Sequence, residues 1–371
     1  MKKKKITQIY KLFKIFLFKL IYGKIKKIIS TRKTKNIIVK KVFFEDLISY
    51  NLFNIRKGRL YSDTIHDTAF ILNRSLIKEA SFQYRYKKNE QIINGNIHEN
   101  TVIKNGTPKF IKKIKGTVFS LLCGGAAKNS YWHWIFDVLP KVGILEKSIF
   151  KHKLDYYLLP SMSKNYQKQS FLSLGISPTK LLNGEKFKHI ICDNLLASDH
   201  PVLFNNDPSM SMLNTPIWII KWLRKKFLKT NFLNKKLPKK IFINREHDSS
   251  LEVRKIINNN EVKYFLTKLG FKSITLSNYD FKKQVEIFKN AKFVVGLHGG
   301  GFANMVFSKP GTKILEIQST KSGDVISNLA KKCKLNYKRT IEKNTLPTLN
   351  YQNSHIIVNL SKLKKLILSY K

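Results

Sequence analysis

The sequence predicts an α/β protein built from two Rossmann-like, doubly wound domains. Three observations carry that expectation. A chain of 371 residues is too long for one compact core. Its second half repeats a strand–helix order with short connections, the pattern of a doubly wound sheet. Parts of the first half also alternate strand and helix, which implies parallel strands joined by crossover helices.

The first 35 residues stand apart as a basic extension. Lys11, Lys14, Lys19 and Lys24 interrupt its apolar residues, so no run reaches the roughly 20 residues of a membrane span. No small-residue cleavage site follows an uninterrupted apolar core, which argues against a signal peptide. Two readings stay open: a basic helix lying on an anionic membrane surface, although the lysines do not segregate cleanly to one face, or a solvated extension.

Residues 36–205 are expected to form the first α/β domain. "NIIVKKVFF" reads as a strand, while residues 50–110 mix short apolar pieces with turn residues and resist assignment. "GTVFSLLCGG" reads as a buried strand closing on Gly124 and Gly125. "NSYWHWIFDVLPKVGILEK" follows with helical spacing, capped by Asn129 or Ser130. "DYYLLP" and "HIICD" are short strands on either side of a helix, "NYQKQSFLSLG".

Residues 206–215, inside the polar stretch "FNNDPSMSMLNTP", are the expected linker. The second domain, 216–350, opens on the amphipathic helix "IWIIKWLRKKFLK". Strand "KKIFINR", helix "NNNEVKYFLTKLG", strand "KSITL", helix "DFKKQVEIFKNA" and strand "KFVVGLH" then succeed one another. A short Gly-initiated helix, strand "TKILEIQ" and helix "GDVISNLAKKC" complete the domain, and residues 351–371 add a strand and a last basic helix.

Composition narrows the function classes. With 43% hydrophobic and 12% aromatic residues the chain can fill packed cores, which excludes general disorder. The 70 Lys+Arg against 23 Asp+Glu, a net +47, raises a nucleic-acid reading. Only nine of those residues are arginine, the usual reader of bases and phosphates, and the charge is scattered along the chain. It therefore reads as Lys-rich compositional bias rather than a binding code, while still drawing the protein towards anionic surfaces. Cys123, Cys192 and Cys333 lie far apart and fit buried thiols in a reducing compartment. No DxD, HExxH or P-loop lysine motif occurs, so nothing in the sequence calls for a metal.

In an open parallel sheet, ligands bind outside the carboxyl ends of the strands. Arg245 and His298 each end a strand there, and Gly299, Gly300 and Gly301 let a ligand approach the backbone amides that open the next helix. Arg245 offers a fork suited to a diphosphate, and His298 either donates to a phosphate or holds the loop. Glu316 is read as ending a further strand, where it accepts from sugar hydroxyls. The bland alternatives are a structural turn and a surface arginine. HGGG also resembles an esterase oxyanion loop, but no G-x-S-x-G nucleophile elbow accompanies it. In the first half, His133 and Asp137 fall four residues apart on one helix face. They read as a base pair for an acceptor hydroxyl, with Asp137 the more direct base. Trp132 either stacks on a sugar or fills a core.

Together, "NSYWHWIFDVLP" (129–140), "FINR" (242–245), "RKIINNNEV" (254–262) and "FKKQVEIFKNAKFVVGLHGGGFANMVFSKPGTKILEI" (281–317) resemble glycosyltransferase family 61. Its bacterial members are often described as capsular polysaccharide biosynthesis proteins. The resemblance, over roughly residues 117–335, implies two domains of GT-B type facing a cleft. It also implies inverting, metal-independent transfer from a nucleotide sugar, with no other cofactor and the donor site in the second domain. Arg245, His298, Gly299, Gly300, Asn304 and Glu316 fall on donor-side positions; Arg254 and Gln284 match in a supporting role; Asp137 and His133 fall on the motif facing the cleft. The family's acidic pair is here Asn259 and Asn260, with Glu261 retained, which puts an acidic role near that helix start in doubt.

The expected protein is therefore a cytoplasmic enzyme, peripheral at the inner membrane face, that builds a surface polysaccharide or glycolipid. Its partners would be a nucleotide-sugar donor, a glycan or lipid-linked acceptor and an anionic membrane surface, with no specific nucleic acid. Two rivals remain: a basic protein binding nucleic acid or anionic lipid, and an inactive glycosyltransferase homologue kept as a scaffold.

Overall fold

The computed structural model describes residues 2–45, 47–63, 66–87, 90–93, 96–123, 128–202, 213–228, 237–245, 254–320, 322–345 and 355–370. Gly124, Gly125 and residues 206–212 of the expected linker lie outside them. The chain divides into two compact units, Met1–Gln167 with Ile176–Met212 and Lys168–Gly175 with Leu213–Lys371.

The N-terminal unit is one twelve-stranded sheet. Its strands are β1 (Lys27–Ile29), β2 (Ile37–Phe43), β3 (Ser49–Arg56), β4 (Arg59–Ser62), β5 (Asp67–Leu72) and β6 (Ser75–Ile77). They continue with β7 (Phe82–Lys87), β8 (Glu90–Ile93), β9 (Lys112–Ser120), β10 (Tyr156–Leu159), β11 (Leu181–Asn183) and β12 (His189–Ser198). β9, β10 and β11 run parallel side by side, and β12 runs parallel to β9 on the other flank. β2 with β3, β4 with β5, β5 with β6 and β7 with β8 are antiparallel pairs. The expected doubly wound first domain is thus corrected: a small parallel block is fused to an antiparallel meander. The meander escapes a pattern reading because every residue of β4, β5 and β6 is buried. With both faces covered, the alternation that betrays a half-exposed strand is lost.

The N-terminal segment, expected as an extension, is built into this unit. Helix Lys2–Tyr22 is held near its C-terminal end, where Phe18 meets the ring of Phe110 at 4.8 Å. The Tyr22 hydroxyl accepts from the Ile111 amide at 3.1 Å, and the Tyr22 ring lies edge-on to His189 at 5.3 Å. β1 then pairs with β6.

The C-terminal unit is the doubly wound one. β13 (Lys240–Ile243), β14 (Lys272–Ile274), β15 (Phe293–Leu297), β16 (Lys313–Ser319) and β17 (Asn336–Glu342) are all parallel, in the order β14-β13-β15-β16-β17. On one face Phe242, Val295 and Leu315 pack with Val262 and Leu266 of helix Asn259–Lys268 and Leu363 of helix Leu360–Leu368. On the other, Phe281 of helix Phe281–Asn290 meets Phe227 of helix Ile217–Phe227 at 4.9 Å and Phe307 at 6.2 Å. The strand expected after residue 350 is, among the described residues, an isolated bridge at Ile356. From β13 the chain turns to β14 on one side, while the later strands build on the other side. The carboxyl ends of β13 and β15 therefore border the point where strand order reverses.

Phe281 is fully buried between two aromatic rings. Phe281→Ala should cost about 3–5 kcal/mol, read by urea denaturation followed through near-ultraviolet circular dichroism; a loss under about 1 kcal/mol would mean that the ring contacts are not formed.

Candidate functional site

Two clusters gather the chemistry-bearing side chains, one in each unit. In the C-terminal unit Asn244 and Arg245 follow β13, and His298 follows β15. The Arg245 Nη1 donates to the His298 carbonyl at 3.2 Å, and the Arg254 Nη1 reaches the same oxygen at 3.5 Å. Two guanidinium groups thus converge on one backbone oxygen. Among the described residues no carboxylate pairs with Arg254, and its Nε is buried without a hydrogen-bond partner. Burial, and then the charge of Arg245, push the Arg254 pKa down to about 10. A backbone held at φ 58° adds to this strain.

Gly299 makes the arrangement sterically possible, since a Cβ there would sit 2.8 Å from the Arg245 Nη1. The amides of Gly300 and Gly301 precede the first hydrogen bond of the 3₁₀ helix Gly300–Phe307, from the Phe302 N–H to the Gly299 carbonyl at 3.1 Å. They are therefore donors at a helix start.

His298 is braced. Its Nδ1 hydrogen-bonds the carboxylate of Glu316, whose other oxygen accepts from the Tyr337 hydroxyl at 2.5 Å. Burial and this carboxylate push the Tyr337 pKa up. Glu316 was expected at a strand end facing sugar hydroxyls. It lies instead inside β16, opposite Gly296 in the ladder, fully buried with both oxygens engaged. Asn304, expected on the donor side, is also fully buried and donates to Gln284 Oε1 at 3.1 Å. Gln284 Nε2 donates in turn to the carbonyls of Leu276 and Tyr279, both at 3.0 Å. Asn304 and Gln284 hold the glycine loop in shape.

In the N-terminal unit the helix that starts at Tyr131 passes through a π-helical turn, Trp134–Val138, into Leu139–Glu146. Pro140 supplies a local reason, because it lacks the N–H that the Phe136 carbonyl would receive in an α ladder. His133 Nδ1 lies 2.7 Å from Asp137 Oδ2. Asp137 is 5% exposed and its Oδ1 is buried with no partner among the described residues, whereas the His133 side chain keeps 24% exposure. Trp132, a candidate sugar platform, is buried and packs on Phe136 at 4.7 Å.

Sequence reasoning missed His200 and Lys141. His200 Nε2 stands 3.7 Å from Asp137 Oδ2, while its Nδ1 accepts from the Val202 amide at 3.3 Å. Lys141 is buried and donates to the Leu122 carbonyl at 2.8 Å. Both line a cavity of about 280 Å³ with Cys123, Asp199, Glu79 and Phe82. The available signal was the polar "SDHP" at the end of β12, a strand-end cluster of the kind that marked Arg245. Burial pushes the Lys141 pKa down and the Cys123 thiol up to about 12. Burial also pushes His200 down to about 4, against the pull of Asp137. For His133 burial opposes charge, but the charge and hydrogen bond of Asp137 together outweigh it, and its pKa is raised.

These shifts have opposite signs in pH. The His133–Asp137 pair contributes stability that is complete below the ordinary imidazole value and lost as pH rises through the raised one. His200 opposes folding increasingly as pH falls from about 6.5 towards its value of about 4. Histidine-selective NMR titration should find His133 ionising above about 6.5 and returning towards it in Asp137→Asn, with His200 neutral at pH 5. A His133 midpoint below the free-imidazole value would contradict the pair.

Comparison with known proteins adds an independent finding. Residues 131–315 match the family model described as Glycosyltransferase 61. No curated protein sequence matched the chain. The match supports assignment to glycosyltransferase family 61, and the chain is accordingly a glycosyltransferase, a nucleotide-sugar-dependent transferase.

Proposed function

We propose that this glycosyltransferase moves a sugar with inversion, without a metal ion, from a nucleotide-sugar donor to a glycan or lipid-linked acceptor in surface, capsular-type polysaccharide synthesis. A GT-B arrangement and a cytoplasmic location belong to the same proposal. The observation that carries the donor half is the pair of guanidinium groups at the β13/β15 strand ends, one of them, among the described residues, without a carboxylate partner and with a buried, unsatisfied Nε. Two like charges held together beside glycine amides call for an anion of higher charge than one carboxylate. The diphosphate of a nucleotide sugar meets that demand.

In the step proposed, the acceptor oxygen attacks the anomeric carbon as the carbon–oxygen bond to the diphosphate breaks. The nucleoside diphosphate leaves with the bonding pair, and the acceptor proton passes to His133. Arg245, Arg254 and the amides of Gly299, Gly300 and Gly301 stabilise the charge that grows on the leaving oxygens. Glu316 accepts from Nδ1 of His298, so the ring presents Nε2 to the donor as both loop brace and ligand contact. Asp137, expected as the base, is too enclosed to reach an acceptor. By accepting from Nδ1 of His133 it leaves the Nε2 lone pair of that ring for the acceptor proton. Among the described residues nothing hydrogen-bonds that Nε2. His133 is then the base and Asp137 the residue that positions it.

Arg245→Ala and Arg254→Ala should each weaken nucleoside-diphosphate binding at least tenfold, about 1.4 kcal/mol, in calorimetric titration with a panel of nucleoside diphosphates. Affinity retained within about threefold in both would refute the donor site. With a donor found in that way, His133→Ala should abolish transfer while donor affinity stays unchanged. The acid limb of kcat/KM should lie above about 6.5 and move down in Asp137→Asn. A limb in the carboxylate range would return the role of base to Asp137.

A further inference from the structure

Helix Lys2–Tyr22 carries an exposed apolar surface that nothing in the transferase reading uses. Ile6, Ile9, Tyr10, Leu12, Phe13, Phe16, Leu17, Leu20 and Ile21 are each between 38% and 69% exposed. At about 100° per residue these side chains fill one continuous arc of about 180°. From Ile6 to Tyr22 no charged residue falls inside it; of the opening lysines, Lys2 and Lys5 do. Thr7, Gln8, Lys11, Lys14 and Lys19 occupy the opposite arc, together with Phe18 and Tyr22, the two rings that fasten the helix to its unit. The opening lysines do not segregate to one face, but Lys11, Lys14 and Lys19 therefore do. Their interruptions in the chain are the second face of an amphipathic helix.

We infer that this helix is an interfacial anchor that lays its Leu12–Phe16–Leu20 and Ile9–Phe13 ridges into an anionic phospholipid bilayer, in the plane of the membrane. Among the described residues no helix is long and apolar enough to cross a membrane, which leaves the in-plane orientation. Charge selects the occupant. The first 30 residues hold ten lysines, and the first acidic residue of the chain is Glu45. Lysines at the flanks of a shallowly inserted helix meet lipid phosphates. A second copy of the helix would instead bring lysine margins against lysine margins, a like-charge contact that a dimer seam avoids. The proposal stands independently of the transfer chemistry, since the arc and its charge pattern do not involve either candidate site.

The test is sedimentation of the full chain with sucrose-loaded vesicles of phosphatidylcholine alone and of phosphatidylcholine with 30% phosphatidylglycerol. Wild type should bind the anionic vesicles, and Phe13→Ser with Phe16→Ser, which leaves the net charge unchanged, should bind at least tenfold more weakly. Both positions are exposed, so the double variant should keep the wild-type circular dichroism and melting temperature. Lys11→Gln with Lys14→Gln and Lys19→Gln should weaken binding to anionic vesicles and leave binding to neutral ones unchanged. Equal vesicle binding by wild type and the serine variant would reduce the attachment to diffuse charge and overturn the inference. So would absence of binding to either vesicle, and so would a wild-type dimer in analytical ultracentrifugation that the serine variant converts to monomer.

Discussion

A carboxylate with no exposed surface is tolerated only when its charge is answered by hydrogen bonds, and Glu316 sits at such a point in the C-terminal sheet. Its two oxygens are shared between His298, just beyond β15, and Tyr337 of β17. One side chain inside β16 therefore links the residue just beyond β15 to β17 across three adjacent parallel strands. Loss of any member would leave a buried polar atom unsatisfied. The glycine loop, the amides at its start and the carbonyl that both arginines approach all hang from the histidine that this carboxylate fixes.

The N-terminal unit uses the same device. There too a carboxylate, Asp137, holds Nδ1 of a histidine and leaves the other ring nitrogen outward. The difference lies in what surrounds it. Glu316 is closed in by strands, whereas Asp137 stands 3.7 Å from His200, which lines a cavity with the buried Lys141, and its Oδ1 has no partner among the described residues. A fully satisfied carboxylate makes a rigid support. One left a hydrogen bond short, among groups that burial drives towards neutrality, makes an environment in which a proton can move.

How much of this was legible in the sequence depended on whether the relevant neighbours lie along the chain or across it. The C-terminal unit was readable because its strands are short apolar runs separated by capped helices. Asp280, for instance, accepts from the Lys283 amide at 2.7 Å to open helix Phe281–Asn290. Arg245 and His298 were readable because a polar residue directly after such a run must lie at a strand end. Glu316 was misread because its surroundings come from β15 and β17, and only the register that sets it opposite Gly296 encloses it. Asn304 was misread for a similar reason, its partner Gln284 lying 20 residues away and joined to it side chain to side chain. Strands β4 to β6 gave no signal, as burial on both faces erases period two. The lysine pattern of the first helix needed its three-dimensional face to be interpreted.

The first helix is fastened where β9 begins, through Tyr22 at Ile111. At its other end that strand gives way to Leu122, whose carbonyl receives Lys141, one residue beyond the proline that follows the π-helical turn. Nine residues of strand at about 3.3 Å each form a stiff spacer of about 30 Å between the two. The helix that carries His133 is thus set at a fixed distance from the first helix and not on a swinging tether. With the proposed roles of His133 and of the first helix, an acceptor would be met at one set reach, so its length, and not only its chemistry, would become a quantity that this protein can measure.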